Sequence, residues 1–306
     1  MAITMTFGGY QPPASIHNQA ARRFGERLEQ RLGGRIAFEL IGSVLDHGRA
    51  SADLPVMVEK GELSFCYMST VRFSGWVPEL LLLELPFLVR DRRTVWAALD
   101  GALGERLTRR LHATTPFRAL GLWDNGFRHL TNRVRPIQRP ADCRGLRIRT
   151  QASALHGEVF RALGFVPHAI DIKEFVQQVA GDAIDAHDNP LTSIYVFGVH
   201  RHHRYITLTG HFFGASLMIC DERRYRSWPP EVRAAVDEAA AAATALQRRL
   251  AVSEDQDVLA RLDPRENEVI RPTADDHAAF VEAVQPVLAK YRAQLDPELF
   301  SALEAV

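Results

Sequence analysis

Three short stretches group side chains suited to binding a ligand. Trp123-Asp124-Asn125-Gly126-Phe127-Arg128 places an arginine just past a turn dipeptide, where the backbone presents it with little freedom. Asp142-Cys143-Arg144-Gly145-Leu146-Arg147-Ile148-Arg149 leads through a turn into a strand. Strand alternation puts Leu146 and Ile148 on one face and Arg147 and Arg149 on the other. Ile184-Asp185-Ala186-His187-Asp188-Asn189-Pro190 is a strand running into a polar turn. Each stretch also has a plain reading, because most arginines are surface residues and Asn-Pro is a good turn.

Other reactive residue types point away from chemistry. His200-Arg201-His202-His203, with His211 nearby, is dense enough in imidazole to ligate a metal, but the interleaved arginines repel a cation. It reads as a solvated run leading into a strand, so no metal is expected. Three cysteines, Cys66, Cys143 and Cys220, cannot all pair, and their wide spacing excludes CxxC motifs. Cys66 and Cys220 lie in apolar strands, as buried structural thiols do. No GxGxxG, P-loop, GxSxG or HExxH motif is present, so neither a catalytic residue nor a cofactor is expected.

The elements that carry these stretches alternate between strand and helix. Strands are expected at residues 1–7, 35–41, 63–68, 80–85, 117–123, 127–131, 146–149, 183–186, 205–209 and 216–220. Ile16, Ala20, Phe24, Leu28 and Leu32 form a helical stripe stopped by Gly33-Gly34. A short helix follows at Leu54 and Val58, and another spans 92–112 with a break near Gly101 and Gly104. Ser153 caps a helix ending at Gly164, and Asp171, with Glu174 three residues on, opens one ending at Gly181. Residues 231–262 contain no glycine or proline; as one helix they reach ~48 Å, more than a small domain's diameter. A last helix covers about 275–295.

Composition bounds the function. A chain of 306 residues holds roughly two domains. With 37 basic and 37 acidic side chains, it lacks the basic excess of a nucleic-acid binder. No apolar run approaches the ~20 residues that span a bilayer. The N-terminus has no basic and apolar signal segment, so either the protein is cytoplasmic or a signal peptide has been removed.

In these motifs and their order, the chain resembles the extracytoplasmic solute-binding proteins of tripartite ATP-independent periplasmic (TRAP) transporters, the DctP-type receptors. Phe24 with Gly33-Gly34-Arg35-Ile36, Lys60-Gly61-Glu62-Leu63, Leu85-Pro86-Phe87-Leu88, Asn125-Gly126-Phe127-Arg128, Gly145-Leu146-Arg147-Ile148-Arg149, Asp185-Ala186-His187-Asp188-Asn189-Pro190 and Thr209-Gly210-His211 follow the family sequence. The long helix after Trp228-Pro229-Pro230 completes it. Ala186 replaces the usual glycine and Asp188 the usual glutamate, and Ser69 stands where some sialic-acid receptors carry an acidic residue.

The resemblance implies an α/β, two-lobed periplasmic-binding-protein-like fold, with a ligand cleft between lobes and a long helix spanning both. Lobe I would take residues 1–124 and 209–250, and lobe II 125–208 and 251–306. It implies that Arg149 makes the main salt bridge to a substrate carboxylate, as its planar fork suits. Arg128 would assist by charge and Asn189 by its amide, while Tyr10, Ser69, Ile172 and Phe212 would line the cleft. The implied function is capture of a small organic acid by lobe closure and delivery to membrane permease subunits, by a periplasmic, monomeric receptor without cofactor or nucleic-acid partner. An enzyme on a two-lobed scaffold, or a sensory protein for the same ligand, are the alternatives.

Overall fold

The computed structural model describes residues 2–304. Met1, expected to open the first strand, and residues 305–306, expected in lobe II, lie outside the described residues. The strands are β1 (Ile3–Gly8), β2 (Ile36–Ile41), β3 (Phe65–Ser69), β4 (Phe117–Asn132), β5 (Arg147–Thr150), β6 (Val166–Ala169), β7 (Ala186–Pro190), β8 (Tyr205–Asp221) and β9 (Glu268–Ile270). The helices are α1 (Ile16–Leu32), α2 (Leu54–Glu59), α3 (Arg92–Asp100), α4 (Ala102–Thr114), α5 (Ala154–Ala162), α6 (Ile172–Gln178), α7 (Leu191–Val196), α8 (Glu222–Ser227), α9 (Pro230–Arg261), α10 (Ala274–Arg292) and α11 (Pro297–Glu304).

Contacts group the chain into two units. Unit 1 holds the chain up to Val77, Leu99–Asn125 and Ala215–Glu254; unit 2 holds Pro78–Ala98, Gly126–Gly214 and the chain from Asp255 on. Relative to the expected lobes, Pro78–Ala98 and residues 209–214 join the second unit, and Asn125 and residues 251–254 join the first. For Pro78–Ala98 the physical reason is local: Glu84 bonds His156, and the Phe87 amide donates to the His211 carbonyl, both inside unit 2.

In unit 1, β1 lies parallel to β2 and β3, and β3 pairs antiparallel with the end of β8. Ser15 caps α1 by accepting from the Asn18 amide, and Gly33 ends it at φ 56°. The expected stripe is buried, and Phe24 meets Phe7 and Phe65 edge-on at 5.8 and 4.8 Å. The long helix α9 is tied to this unit by Arg248, which donates to Asp100 at 2.7 Å and to the Leu122 carbonyl. In unit 2, β4 pairs antiparallel with β7, and β5 runs parallel between β7 and β6.

Four expected elements are corrected. Residues 80–85 are not a strand: Pro78–Glu84 is a 3-10 helix with Leu80, Leu82, Leu83 and Glu84 buried. A short apolar run does not distinguish the two by period. Asn125-Gly126 is not a turn, because β4 runs through it and Gly126 supplies φ 99° inside the strand. Likewise β8 is continuous where two strands were expected, passing Gly210 at φ 57°. Asn189-Pro190 closes β7 instead of turning.

One buried side chain organises the carboxyl end of β1. Asn18 is fully buried, and its amide donates to the carbonyls of Gln11 (2.6 Å), Pro12 (3.0 Å) and Gly42 (3.0 Å). A buried carbonyl left unsatisfied costs about 1–3 kcal/mol. Asn18→Ala is therefore expected to destabilise the protein by about 2–3 kcal/mol, read as a lower urea midpoint. An unchanged midpoint would show that these carbonyls find other partners.

Candidate functional site

Arg128 and Arg149, from the first two stretches, meet the third stretch in unit 2, where β7 pairs with both β4 and β5. Arg149 sits opposite His187 across the parallel β5–β7 pair, and β4 brings His129 opposite Asn189. Arg149 is 2 % exposed, its Nε donates to the Ile170 carbonyl at 2.8 Å, and its guanidinium lies 5.8 Å from the Phe175 ring centroid. Ile170 precedes α6, so the start of that helix sets the plane of the guanidinium.

Arg128 is used differently. Its Nε donates to Asp188 Oδ2 at 2.5 Å, one terminal nitrogen to the Asp188 carbonyl at 2.7 Å, and the other to Asn189 Oδ1 at 3.0 Å. Both side chains of the ion pair are essentially unexposed. Burial alone would raise the Asp188 carboxyl; Arg128 and His211, 3.5 Å away, outweigh it and hold the group well below the usual carboxylate range. Arg147 shares an expected face with Arg149 but grips Asp185 with two bonds of 2.8 Å. Those bonds, against partial burial, bring Asp185 down to about 2. Arg147 is thus part of the framework.

The remaining candidates fall in both units. Ile172 opens α6 and is buried, and Asp171 caps that helix by accepting from the Lys173 amide at 3.0 Å. Phe212 stacks on His156 at 4.3 Å and 11°, and His156 in turn bonds Glu84 at 3.0 Å. In unit 1, Tyr10 lies 5.3 Å from Tyr67. Ser69 faces Ser216 in the β3–β8 register, and both hydroxyls are buried without a hydrogen-bond partner.

Sequence reasoning missed three polar residues. Gln11 and His17 are fully buried in unit 1, and neither the Gln11 amide nor either His17 ring nitrogen has a hydrogen-bond partner. His17 shares the helical face of Ala21, Phe24 and Leu28, which was the available signal. His187 is buried and shares the face of Asn189 by strand alternation. The histidine run is not a solvated surface segment throughout: His203 is buried against Thr131 at 2.8 Å, and His200 stacks on Tyr195. A separate recess of about 1050 Å³ in unit 2, beside Phe87, Phe127, His129 and Val281, involves none of the expected binding residues.

The chain has clear relatives. The profile of the family described as bacterial extracellular solute-binding protein, family 7 (DctP), matches residues 7–294. A solute-binding protein of Verminephrobacter eiseniae is 29% identical over 272 residues, 89% of this chain and 79% of that one. The 2,3-diketo-L-gulonate-binding periplasmic protein YiaO of Escherichia coli is 27% identical over 284 residues, 92% of this chain and 85% of its own. A solved TRAP periplasmic solute-binding protein of Bordetella bronchispeptica, with density assigned to pantoate, has a TM-score of 0.91 at 26% identity, covering 98% of each chain.

The buried histidines predict an acid response set by their burial. Burial brings His17, His129 and His203 down to about 3. Unfolded histidine takes up a proton near 6.5, so between about pH 6.5 and 3 the unfolded chain binds more protons, and stability falls as pH falls. Each such histidine adds a slope of up to about 1.4 kcal/mol per pH unit. The melting temperature is expected to drop already between pH 6.5 and 5, above the range where Asp188 contributes, and His17→Phe should flatten that drop. A level profile over this interval would contradict the assignment.

Proposed function

The chain belongs to bacterial extracellular solute-binding protein family 7, a TRAP-type solute receptor, and from that premise we propose that it captures a small organic acid by seating its carboxylate on Arg149. The observation that carries this is a buried guanidinium anchored through Nε to the Ile170 carbonyl. Anchoring at Nε orients the fork, and a fixed fork binds two carboxylate oxygens at once. Arg128 serves a second purpose in this reading. Held by Asp188, it turns Asn189 Oδ1 toward itself and so directs the Asn189 amide nitrogen to the other side. Ile172 and Phe212 supply apolar lining in unit 2, and Tyr10 and Ser69 are further ligand contacts in this reading.

Among the described residues, no helix is long and apolar enough to cross a membrane. We place the receptor outside the cytoplasmic membrane as a monomer that hands its ligand to TRAP permease subunits. Binding and release complete its cycle, with no covalent step. Two relatives support the ligand class: one is named for binding 2,3-diketo-L-gulonate and another holds density assigned to pantoate, both oxygen-rich organic acids. A thermal-shift screen of organic acids would find the ligand, since saturation at ~100 times the dissociation constant adds ~2.7 kcal/mol. Turnover of any acid that binds would instead favour an enzyme.

Two substitutions probe the site. Arg149→Ala should weaken acid binding roughly 30- to 4000-fold, as expected when one partner of a desolvated ion pair is removed, and Arg149→Lys should recover only a remnant because it lacks the fork. Calorimetry showing unchanged affinity in Arg149→Ala would remove the proposal. Asp171→Asn should leave both melting temperature and affinity near wild type, because asparagine caps a helix about as well as aspartate. A large affinity loss at constant stability would instead make Asp171 a ligand contact.

A further inference from the structure

His187 is a buried polar residue beside Arg149 on the neighbouring strand, with one ring nitrogen left without a hydrogen-bond partner. Its ring is unexposed and lies parallel to Phe175 at 4.5 Å and 8°. The same Phe175 ring sits 5.8 Å from the Arg149 guanidinium. Residues paired across a sheet stand about 5 Å apart, and His187 and Arg149 are such a pair. Both groups thus approach the same Phe175 ring from neighbouring positions on β5 and β7.

The hydrogen-bond chain fixes which proton the ring carries. Arg128 has no acceptor, so the Asn189 atom facing it at 3.0 Å is the carbonyl oxygen. That leaves the Asn189 amide nitrogen toward His187 Nε2, 3.1 Å away. An amide nitrogen only donates, so Nε2 must be the accepting nitrogen and the proton must sit on Nδ1. His187 Nδ1 has no hydrogen-bond partner in the protein. A buried donor without an acceptor costs about 1–3 kcal/mol, and an oxygen on the ligand would remove that cost. Burial, and next the nearby Arg149 charge, keep the ring neutral far below its ordinary range, so the single-proton form persists at working pH.

We propose that His187 is a specificity-determining residue, whose Nδ1–H donates to an oxygen on the carbon next to the bound carboxylate, so that the receptor selects 2-oxo and 2-hydroxy acids over unsubstituted ones. The inference rests on the seating of the carboxylate by Arg149 and adds the chemistry of the adjacent atom. A site with this donor loses a hydrogen bond with an acid lacking that oxygen and leaves the N–H unpaired, and sites of this kind discriminate strongly.

The test uses matched acids of four to six carbons, each as the 2-oxo, 2-hydroxy and unsubstituted form, titrated by calorimetry into wild type, His187→Phe, His187→Gln and Arg149→Ala. Wild type should prefer the oxygenated acids by roughly tenfold or more. His187→Phe keeps the stacked ring but no donor and should erase the preference, with binding of the unsubstituted acid retained. His187→Gln, which regains a donor, should restore part of it, and folding of each variant is checked by its melting temperature. Nitrogen-15 NMR of the ligand-free protein should show His187 protonated at Nδ1. A proton on Nε2, no preference in wild type, or a preference surviving in His187→Phe overturns the proposal while leaving the Arg149 reading intact. Unchanged binding in Arg149→Ala overturns that reading and this one with it.

Discussion

The Arg128–Asp188 ion pair is the interaction on which the unit 2 site depends. Removing two charges from water costs several kcal/mol per ion and is recovered only when geometry is good and the leftover hydrogen-bonding groups are used. Here Arg128 meets the Asp188 carboxylate, the Asp188 carbonyl and the Asn189 amide oxygen, and His211 approaches Asp188 from β8. The pair fastens β4 to β7 and sets the orientation of Asn189. Through Asn189 it also sets the protonation of His187. Gly126 belongs to the same arrangement: its φ of 99° suits glycine, and a Cβ there would stand 3.0 Å from Pro190.

Burial holds the cysteines and several histidines of both units in their uncharged forms. The thiols of Cys66, Cys143 and Cys220 are pushed up by burial, so none is a ready nucleophile. Burial likewise lowers the imidazoles of His129, His187 and His211, which favours their neutral forms. This suits the receptor role proposed above, in which neutral donors and a fixed guanidinium recognise an anion.

Much of this was legible in the sequence, for identifiable reasons. The apolar stripe of α1, the cap at Ser153 and the unbroken run that became α9 are local patterns, and each element formed where its period and caps put it. The motif around Arg149 was legible because alternation separates Arg149 from Ile148. Less legible was anything decided by partners distant in the chain. Asn125-Gly126 looked like a turn because its dipeptide favours one, but β4 runs unbroken through it into the segment that pairs with β7. Residues 80–85 carry an apolar run that suits strand or helix alike, and only Glu84 reaching His156 shows which contacts hold them. Arg147 and Arg149 look equivalent in sequence. Asp185, 38 residues beyond Arg147, makes that arginine a framework clamp, while Arg149 donates to the Ile170 carbonyl instead.

The central claim is that a carboxylate docks on the guanidinium of Arg149. A crystal structure with an acid taken from the thermal-shift screen tests it most directly. The account predicts the carboxylate oxygens about 2.7–2.9 Å from the terminal nitrogens of Arg149, with Arg128 still bound to Asp188. A carboxylate seated elsewhere, or one that displaces Asp188 from Arg128, would contradict it.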